Sequence, residues 1–252
     1  MNGNFFNYDE VWSKINIQRP EIWPIWKIIK EVAGEKNLEI GSGNYPRIPI
    51  KRGYIVDTSR NAILNLKKVG FKAFWGDAKN LNFQNNFFDL VAAFNVLEHV
   101  DNDQEAFSEI TRVLKPGGFF IFSVPLNPKK FSEFDLIVGH KRRYEINKLI
   151  EHLVNNDLRI VKYRPASIVS KIYCGWLVNN SLFSDIIKAK IFQKWLSSGP
   201  PQPFSNLISI FQLLMEKISI PGWQNNFQGL KELKEGSVIL LCQKEKELRE
   251  KI

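Results

Sequence analysis

Short apolar runs alternate with amphipathic stretches through the first two-thirds of the chain. Leu38-Glu39-Ile40, Tyr54-Ile55-Val56, Phe71 to Trp75, Phe88 to Phe94 and Phe119 to Val124 are rich in β-branched and aromatic residues. Each is bounded by Gly, Asp, Asn or Pro, and together they read as buried parallel strands. Between them the apolar positions shift to helical spacing. Ser59 is placed to cap a helix ending near Gly70. Asp101 or Asp103 is placed to cap another, whose Ala106, Phe107, Ile110, Val113 and Leu114 share one face. Lys115-Pro116-Gly117-Gly118 then stops it sharply. Strand–helix alternation of this kind predicts a doubly wound α/β sheet.

The chain divides by pattern. Residues 1–34 read as an N-terminal helical segment and residues 35–164 as an α/β core. In that core Asn147 to Asn155 is a helix and Leu158 to Tyr163 a sixth strand. Residues 237–252 supply a seventh strand, Ser237 to Gln243, and a charged tail. Between strands six and seven, residues 165–236 carry Phe204, Leu207, Ile208, Phe211, Leu214, Met215 and Ile218 at helical spacing. A structureless loop of that length is uncommon, so a helical insertion or lid is expected. With Trp176, Trp195 and Trp223 nearby, the segment also suits an apolar pocket or a contact with a membrane surface.

Composition narrows the class. The 252 residues are 44% hydrophobic and 24% charged, which excludes disorder, collagen-like repeats and coiled coil for the bulk of the chain. Two cysteines, Cys174 and Cys242, make no disulfide framework, and three histidines argue against a protein-built metal site. A reducing cytoplasm is the expected setting. The opening MNGNFFNYDEVW lacks the basic and apolar regions of a signal peptide, and no apolar stretch reaches the roughly 18 residues of a spanning helix. The net charge of +9 is uneven: residues 1–126 hold 15 basic and 14 acidic side chains, whereas residues 127–194 alone hold 13 and 6. A neutral scaffold followed by a basic block points to an anionic acceptor, or to a solvated lysine-rich face.

The strongest local chemistry is Leu38-Glu39-Ile40-Gly41-Ser42-Gly43, a strand that ends in an acid and then a Gly-x-Gly turn. Glycines there let a ligand approach the backbone closely. A nicotinamide-binding motif would need a third glycine where this chain has Pro46. Asp57 ends the second strand, where it can accept both hydroxyls of a ribose. Asp77 follows the third strand in Gly76-Asp77-Ala78, and Asn95 follows the fourth. Any one of these is an ordinary turn residue. Four at the carboxyl ends of consecutive parallel strands mark the edge where open α/β sheets bind ligands.

Taken in order and spacing, LEIGSG, YIVDTS, GDAKNLNF, FFDLVAAFNVLEHV and RVLKPGGFFIFSVP resemble class I S-adenosylmethionine-dependent methyltransferases, the group with a type 11 methyltransferase domain. The likeness spans about residues 36–126. It implies a mostly parallel seven-stranded Rossmann-like sheet with an antiparallel last strand, and S-adenosylmethionine as methyl donor with no metal. It places Glu39, Gly41, Ser42 and Gly43 at the turn under the methionine portion and Asp57 on the ribose. Asp77 with Ala78 falls at the adenine, and Asn95 forms a backbone wall near the methionine. The chain departs from the family at Asn44-Tyr45-Pro46-Arg47-Ile48-Pro49. Pro49 removes a donor a helix interior needs, so a loop is expected in place of the first helix, with Tyr45 leaning over the cofactor.

A second cluster, Asp135 and then Gly139-His140-Lys141-Arg142-Arg143-Tyr144, resembles a Gly-His-x-Arg-Arg-Tyr signature of a subset of these enzymes, on the acceptor side. Charge from the two arginines disfavours protonation of His140, which suits a base. His140 is the candidate catalytic residue, and His140, Arg143 and Tyr144 are the candidate acceptor contacts. Their bland alternative is solvated arginines and a helix-capping histidine. His99 reads as structural at the start of a helix, and His152 as inert on a surface helix. The reading is a methyltransferase acting on a small-molecule, sugar or lipid-linked acceptor. Its rivals are an NAD-dependent oxidoreductase, an RNA methyltransferase and a non-enzymatic S-adenosylmethionine-binding relative. The absence of aromatic–basic alternation argues against nucleic acid.

Overall fold

The computed structural model describes residues 7–165, 222–233 and 236–246. Seven strands form one sheet: β1 (Asn37–Ile40), β2 (Gly53–Asp57), β3 (Lys72–Trp75), β4 (Phe88–Phe94), β5 (Leu114–Pro125), β6 (Leu158–Pro165) and β7 (Ser237–Lys244). Their order is β3-β2-β1-β4-β5-β7-β6. The first five are parallel, and β7 runs antiparallel between β5 and β6. This is the doubly wound, mostly parallel sheet with an antiparallel last strand that the apolar pattern and the family resemblance imply. Strand order reverses between β1 and β4, so the crevice at their carboxyl ends is the natural ligand site.

Alternation along each strand sends apolar side chains to both faces, and both are covered. On one face, Leu38, Ile40, Val91, Ala93, Phe120 and Phe122 pack under α4 (Asp103–Val113) and α6 (Ile146–Val154), with Leu230 of α7 (Phe227–Lys231) joining them. On the other, Ile55, Leu90, Ala92, Phe94 and Ile121 pack under α1 (Tyr8–Lys14), α2 (Trp26–Val32) and α3 (Arg60–Lys68). Helices α1 and α2 thus cover part of one face of the sheet. A short α5 (Glu133–Ile137) follows β5.

Several boundaries differ from the sequence expectation. Ser59 does cap α3, its hydroxyl accepting from the Ala62 amide at 3.0 Å. The cap position of α4, however, is Asn102, with no side-chain cap bond. Asp103 is the first helical residue, and its carboxylate is drawn away to Arg142 and Tyr144. The expected sharp stop of α4 before Lys115-Pro116-Gly117-Gly118 is present, but these residues already belong to β5. Helix α4 ends at Val113, and β5 starts at Leu114 with a register shift that absorbs the glycines. The expected loop after β1 is present, closed by a single 3₁₀ turn at Ile50–Arg52. Of the expected insertion at 165–236, all but Pro165, 222–233 and Gly236 lies outside the described residues.

Candidate active site

The carboxyl ends of β1 and β2 make one half of the site, largely from backbone. Gly41 and Gly43 have φ of +63° and +54°, the left-handed region that glycine enters without strain. The resulting turn aims the Gly43 amide at Asp57, whose Oδ2 accepts it at 2.8 Å, while Oδ1 accepts from the Ser59 amide at 2.8 Å. Burial raises the Asp57 carboxyl above its ordinary value, against the pull of these amides. Each oxygen keeps capacity for a further hydrogen bond, as a vicinal diol requires. Ala78 is buried and Asp77 half-exposed beyond β3, its Oδ1 accepting from the Lys79 amide at 2.9 Å. Asn95 adopts a left-handed φ of +53° after β4, its carboxamide oxygen accepting from the Ser123 hydroxyl at 2.9 Å.

Two cofactor-side expectations change. Glu39 is fully buried and faces its own chain: Oε2 accepts from the amides of Arg47 at 2.6 Å and Ile48 at 3.3 Å, and Oε1 meets the Arg47 guanidinium at 3.3 Å. Burial raises its pKa, and the Arg47 charge opposes that. Its role is therefore to fix the irregular 41–49 loop that replaces a first helix. Tyr45 does not stand free over the crevice either, because its ring packs edge-on against Trp12 and Trp23.

The N-terminal helix closes this half, which the sequence did not announce. A Cβ on Gly43 would lie 2.3 Å from the indole of Trp12. The Asp9 carboxylate accepts from the Ser59 hydroxyl at 2.6 Å and from the Asn61 amide at 3.0 Å, tying α1 to the start of α3. Tyr8 donates to the Val138 carbonyl at 3.2 Å and meets the His99 ring edge-on, so α1 reaches the other half as well.

That other half is built from side chains distant in sequence. His140 Nδ1 donates to Asp135 Oδ1 at 2.8 Å, and Nε2 lies 4.0 Å from Glu98 Oε1. Burial pushes the Asp135 carboxyl up, but His140, Arg143 and the Ser132 amide outweigh it and hold the pKa at about 2. Glu98 is pushed up to about 8, by burial first and the Asp135 charge second. His99 is depressed to about 4, by burial and then by His140. His99 Nδ1 meets the Gly139 carbonyl at 3.1 Å, and the two imidazoles meet edge-to-face with centroids 4.8 Å apart. Glu98, His99 and His140 each bring one donor atom within 4.8 Å of the others. Histidine 152 is remote from this cluster and stacks on Phe107.

The arginines and the tyrosine of the His140 motif bind acidic side chains and carbonyls of the chain itself. Arg142 binds Asp103 and the carbonyls of Val100 and Asp101. Arg143 Nε donates to both oxygens of Asp135 at 2.9 and 3.0 Å. Tyr144 is buried and donates to Asp103 at 2.8 Å. The Tyr144 hydroxyl is thus committed to Asp103, and Arg143 is anchored to Asp135 through Nε. Each arginine has a counter-charge: the Arg142–Asp103 pair staples the loop after β5 to the start of α4, and the Arg143–Asp135 pair ties that loop to α5. Among the described residues no helix is long and apolar enough to cross a membrane.

Residues 38–122 match the family model described as "Methyltransferase domain". Among curated proteins, a ubiquinone/menaquinone biosynthesis C-methyltransferase of Stutzerimonas stutzeri is 30% identical over 95 residues, covering 36% of this chain and 35% of the relative. A malonyl-[acyl-carrier protein] O-methyltransferase of Buchnera aphidicola is 27% identical over 157 residues, 57% of this chain and 58% of the relative. The chain thus aligns with less than two thirds of the length of either. Among solved structures, a SAM-dependent methyltransferase of Thermotoga maritima superposes with a TM-score of 0.56 over 94% of this chain and 93% of that one, at 15% identity. That likeness is one of fold.

Proposed function

We propose that this chain, whose residues 38–122 form a class I S-adenosylmethionine-dependent methyltransferase domain, transfers a methyl group from S-adenosylmethionine to a small-molecule or lipid-linked acceptor. The observation that carries the reading is Asp57. It is buried at the carboxyl end of β2, next to the switch point, with both carboxylate oxygens bound to backbone amides, beside a turn whose left-handed φ values suit glycine. In this reading Asp57 holds the ribose hydroxyls. Asp77 and Ala78 meet the adenine, Gly41, Ser42 and Gly43 line the methionine portion, and Asn95 walls it on the far side. Glu39 and Tyr45 act one step back, holding the loop and its aromatic cover.

The sulfonium is already a good leaving group, so the protein's task is to set acceptor atom, methyl carbon and sulfur in line. Alignment of this kind lowers a barrier by up to about 7–11 kcal/mol in favourable systems. A hydroxyl acceptor must also lose its proton, and His140 is the residue of this site suited to favour that loss. Its Nδ1–H is committed to Asp135, so Nε2 keeps the lone pair. The relatives' names support acceptors attached to lipids or carriers: one acts in quinone biosynthesis, the other on malonyl-[acyl-carrier protein].

Calorimetry with S-adenosylhomocysteine tests the core of the reading. Wild type should bind one equivalent, and Asp57→Ala should lose at least about tenfold in affinity, the scale of a lost charge-assisted hydrogen bond. Saturation absent from the wild type would sink it. A methyl-transfer screen over hydroxylated, lipid-linked and carrier-linked acceptors then identifies the class. Co-sedimentation with anionic vesicles, expected for a lipid-linked acceptor, should weaken with salt.

A further inference from the structure

We propose that Glu98, His99 and His140 form a binding site for one divalent transition-metal cation of the zinc and cobalt type, at the acceptor side of the crevice. Three residues from two separate segments converge there: Glu98 and His99 from the 3₁₀ turn after β4, and His140 from the loop after α5. One donor atom of each lies within 4.8 Å of the others. A four-coordinate cation with bonds of about 2.1 Å holds its donors roughly 3.4 Å apart, so binding draws the three together.

The decisive observation is the carboxylate. Glu98 is 1% exposed, and its Oε2 has no hydrogen-bond partner. A buried carboxyl oxygen without a partner is costly, and a cation that takes the place of the carboxyl proton removes the cost. Both imidazoles are also preset as ligands. Nδ1 of His140 is fixed by the Asp135 carboxylate and Nδ1 of His99 by the Gly139 carbonyl, leaving Nε2 with a lone pair in each. A carboxylate or carbonyl behind the ligating imidazole is the outer-shell arrangement that orients metal-bound histidines. Arg143 and the Ser132 amide in turn hold Asp135. Two imidazoles and one carboxylate select zinc, cobalt, manganese or iron over magnesium or calcium, which prefer all-oxygen sites.

Binding itself stands without the methyl-transfer reading, and the use made of it rests on that reading. Three protein donors leave a coordination position open. An acceptor hydroxyl oxygen in that position gives up its proton to solvent more readily. The S–CH₃ bond then breaks as the O–CH₃ bond forms, releasing S-adenosylhomocysteine. His140 would thus act on the acceptor through the cation.

The test is equilibrium binding of zinc, and the visible absorption of cobalt, on protein stripped with chelator. Wild type and His152→Ala, which changes a histidine outside the cluster, should bind one equivalent tightly. Glu98→Gln, His99→Ala and His140→Ala should each weaken binding by more than about tenfold, and Asp135→Asn by about tenfold as an outer-shell change. S-adenosylhomocysteine affinity is measured on the same samples. Its retention shows that each variant is folded, and its absence from the wild type would refute the methyl-transfer reading alone. Wild type that binds S-adenosylhomocysteine but neither metal, or metal binding unchanged in all three ligand variants, overturns the site.

Discussion

The two halves of the crevice are built by opposite means. At the tips of β1 and β2 the polar groups are backbone amides and one carboxylate, linked over short stretches: Gly43 to Asp57, Ser59 to Asp57, Arg47 and Ile48 to Glu39. On the other side Asp135 is held locally by His140 and Arg143, but the contacts that join separate elements cross long gaps, as in Arg142 to Asp103, Tyr144 to Asp103 and His99 to Gly139. The first half is a turn that strand geometry dictates. The second is a side-chain network that exists only when α4, the 3₁₀ turn and the loop after β5 have docked. The cofactor half should therefore tolerate damage to the network, whereas the acceptor half should depend on each of its members.

The largest effect expected from this contrast is at Asp103. Asp103→Ala leaves the buried Tyr144 hydroxyl unpaired and takes the carboxylate from Arg142, which is 30% exposed and keeps the Val100 and Asp101 carbonyls, at a cost of about 3 kcal/mol. Urea denaturation should show that loss, while S-adenosylhomocysteine affinity of the folded fraction stays within about twofold. A parallel collapse of that affinity would erase the distinction between the halves.

Gly43→Ala attacks the other half. An alanine at φ +54° costs about 1–2 kcal/mol, and its Cβ would also displace the Trp12 indole. Thermal unfolding should report a loss of about 2 kcal/mol, and tryptophan fluorescence should report the movement of α1. Unchanged fluorescence would show that the helix does not rest on the turn.

Acidification sharpens the role of Asp57. Burial raises its carboxyl above the ordinary 3.8, and in the proposed reading the ionised form holds the ribose. Affinity for S-adenosylhomocysteine should be full at neutral pH and fall, by about tenfold or 1.4 kcal/mol, as pH drops through a value above 3.8. An affinity flat down to 3.8 would remove Asp57 from the contact.

The smallest effect is at Asp9. Asp9→Ala removes the bonds from Ser59 and Asn61 at the surface, worth about 1 kcal/mol together. Hydrogen exchange should accelerate in α1 and leave β1 and β2 protected. Uniform acceleration would mean that α1 is integral to the core.

What was legible in the sequence follows from the range of the interactions. The strand tips could be read because a parallel strand buried on both faces is a run of apolar residues, and its end is marked by Gly, Asp or Asn. Thus Gly41, Gly43, Asp57 and Asn95 fall where expected. The Gly-His-x-Arg-Arg-Tyr stretch was legible as a motif but not as a set of roles. Nothing local distinguishes an arginine awaiting an anion from one already paired to Asp103 or Asp135. Glu39 misled for the same reason, since its partners in the 41–49 loop are backbone amides that any residues would supply. Glu98 and Asp9 gave no signal beyond ordinary acidic side chains near helix starts.

The sequence by itself determined the doubly wound sheet, the carboxyl edge that holds the crevice and the acidic residue, Asp57, at the end of β2. These follow from periodicity and turn chemistry, which act over a few residues. Only the tertiary structure decided that α1 covers the glycine turn, that Arg142 and Tyr144 share Asp103, and that Glu98, His99 and His140 meet. A buried charge must find its counter-charge somewhere in the folded chain, and which one it finds is set by packing across the sheet.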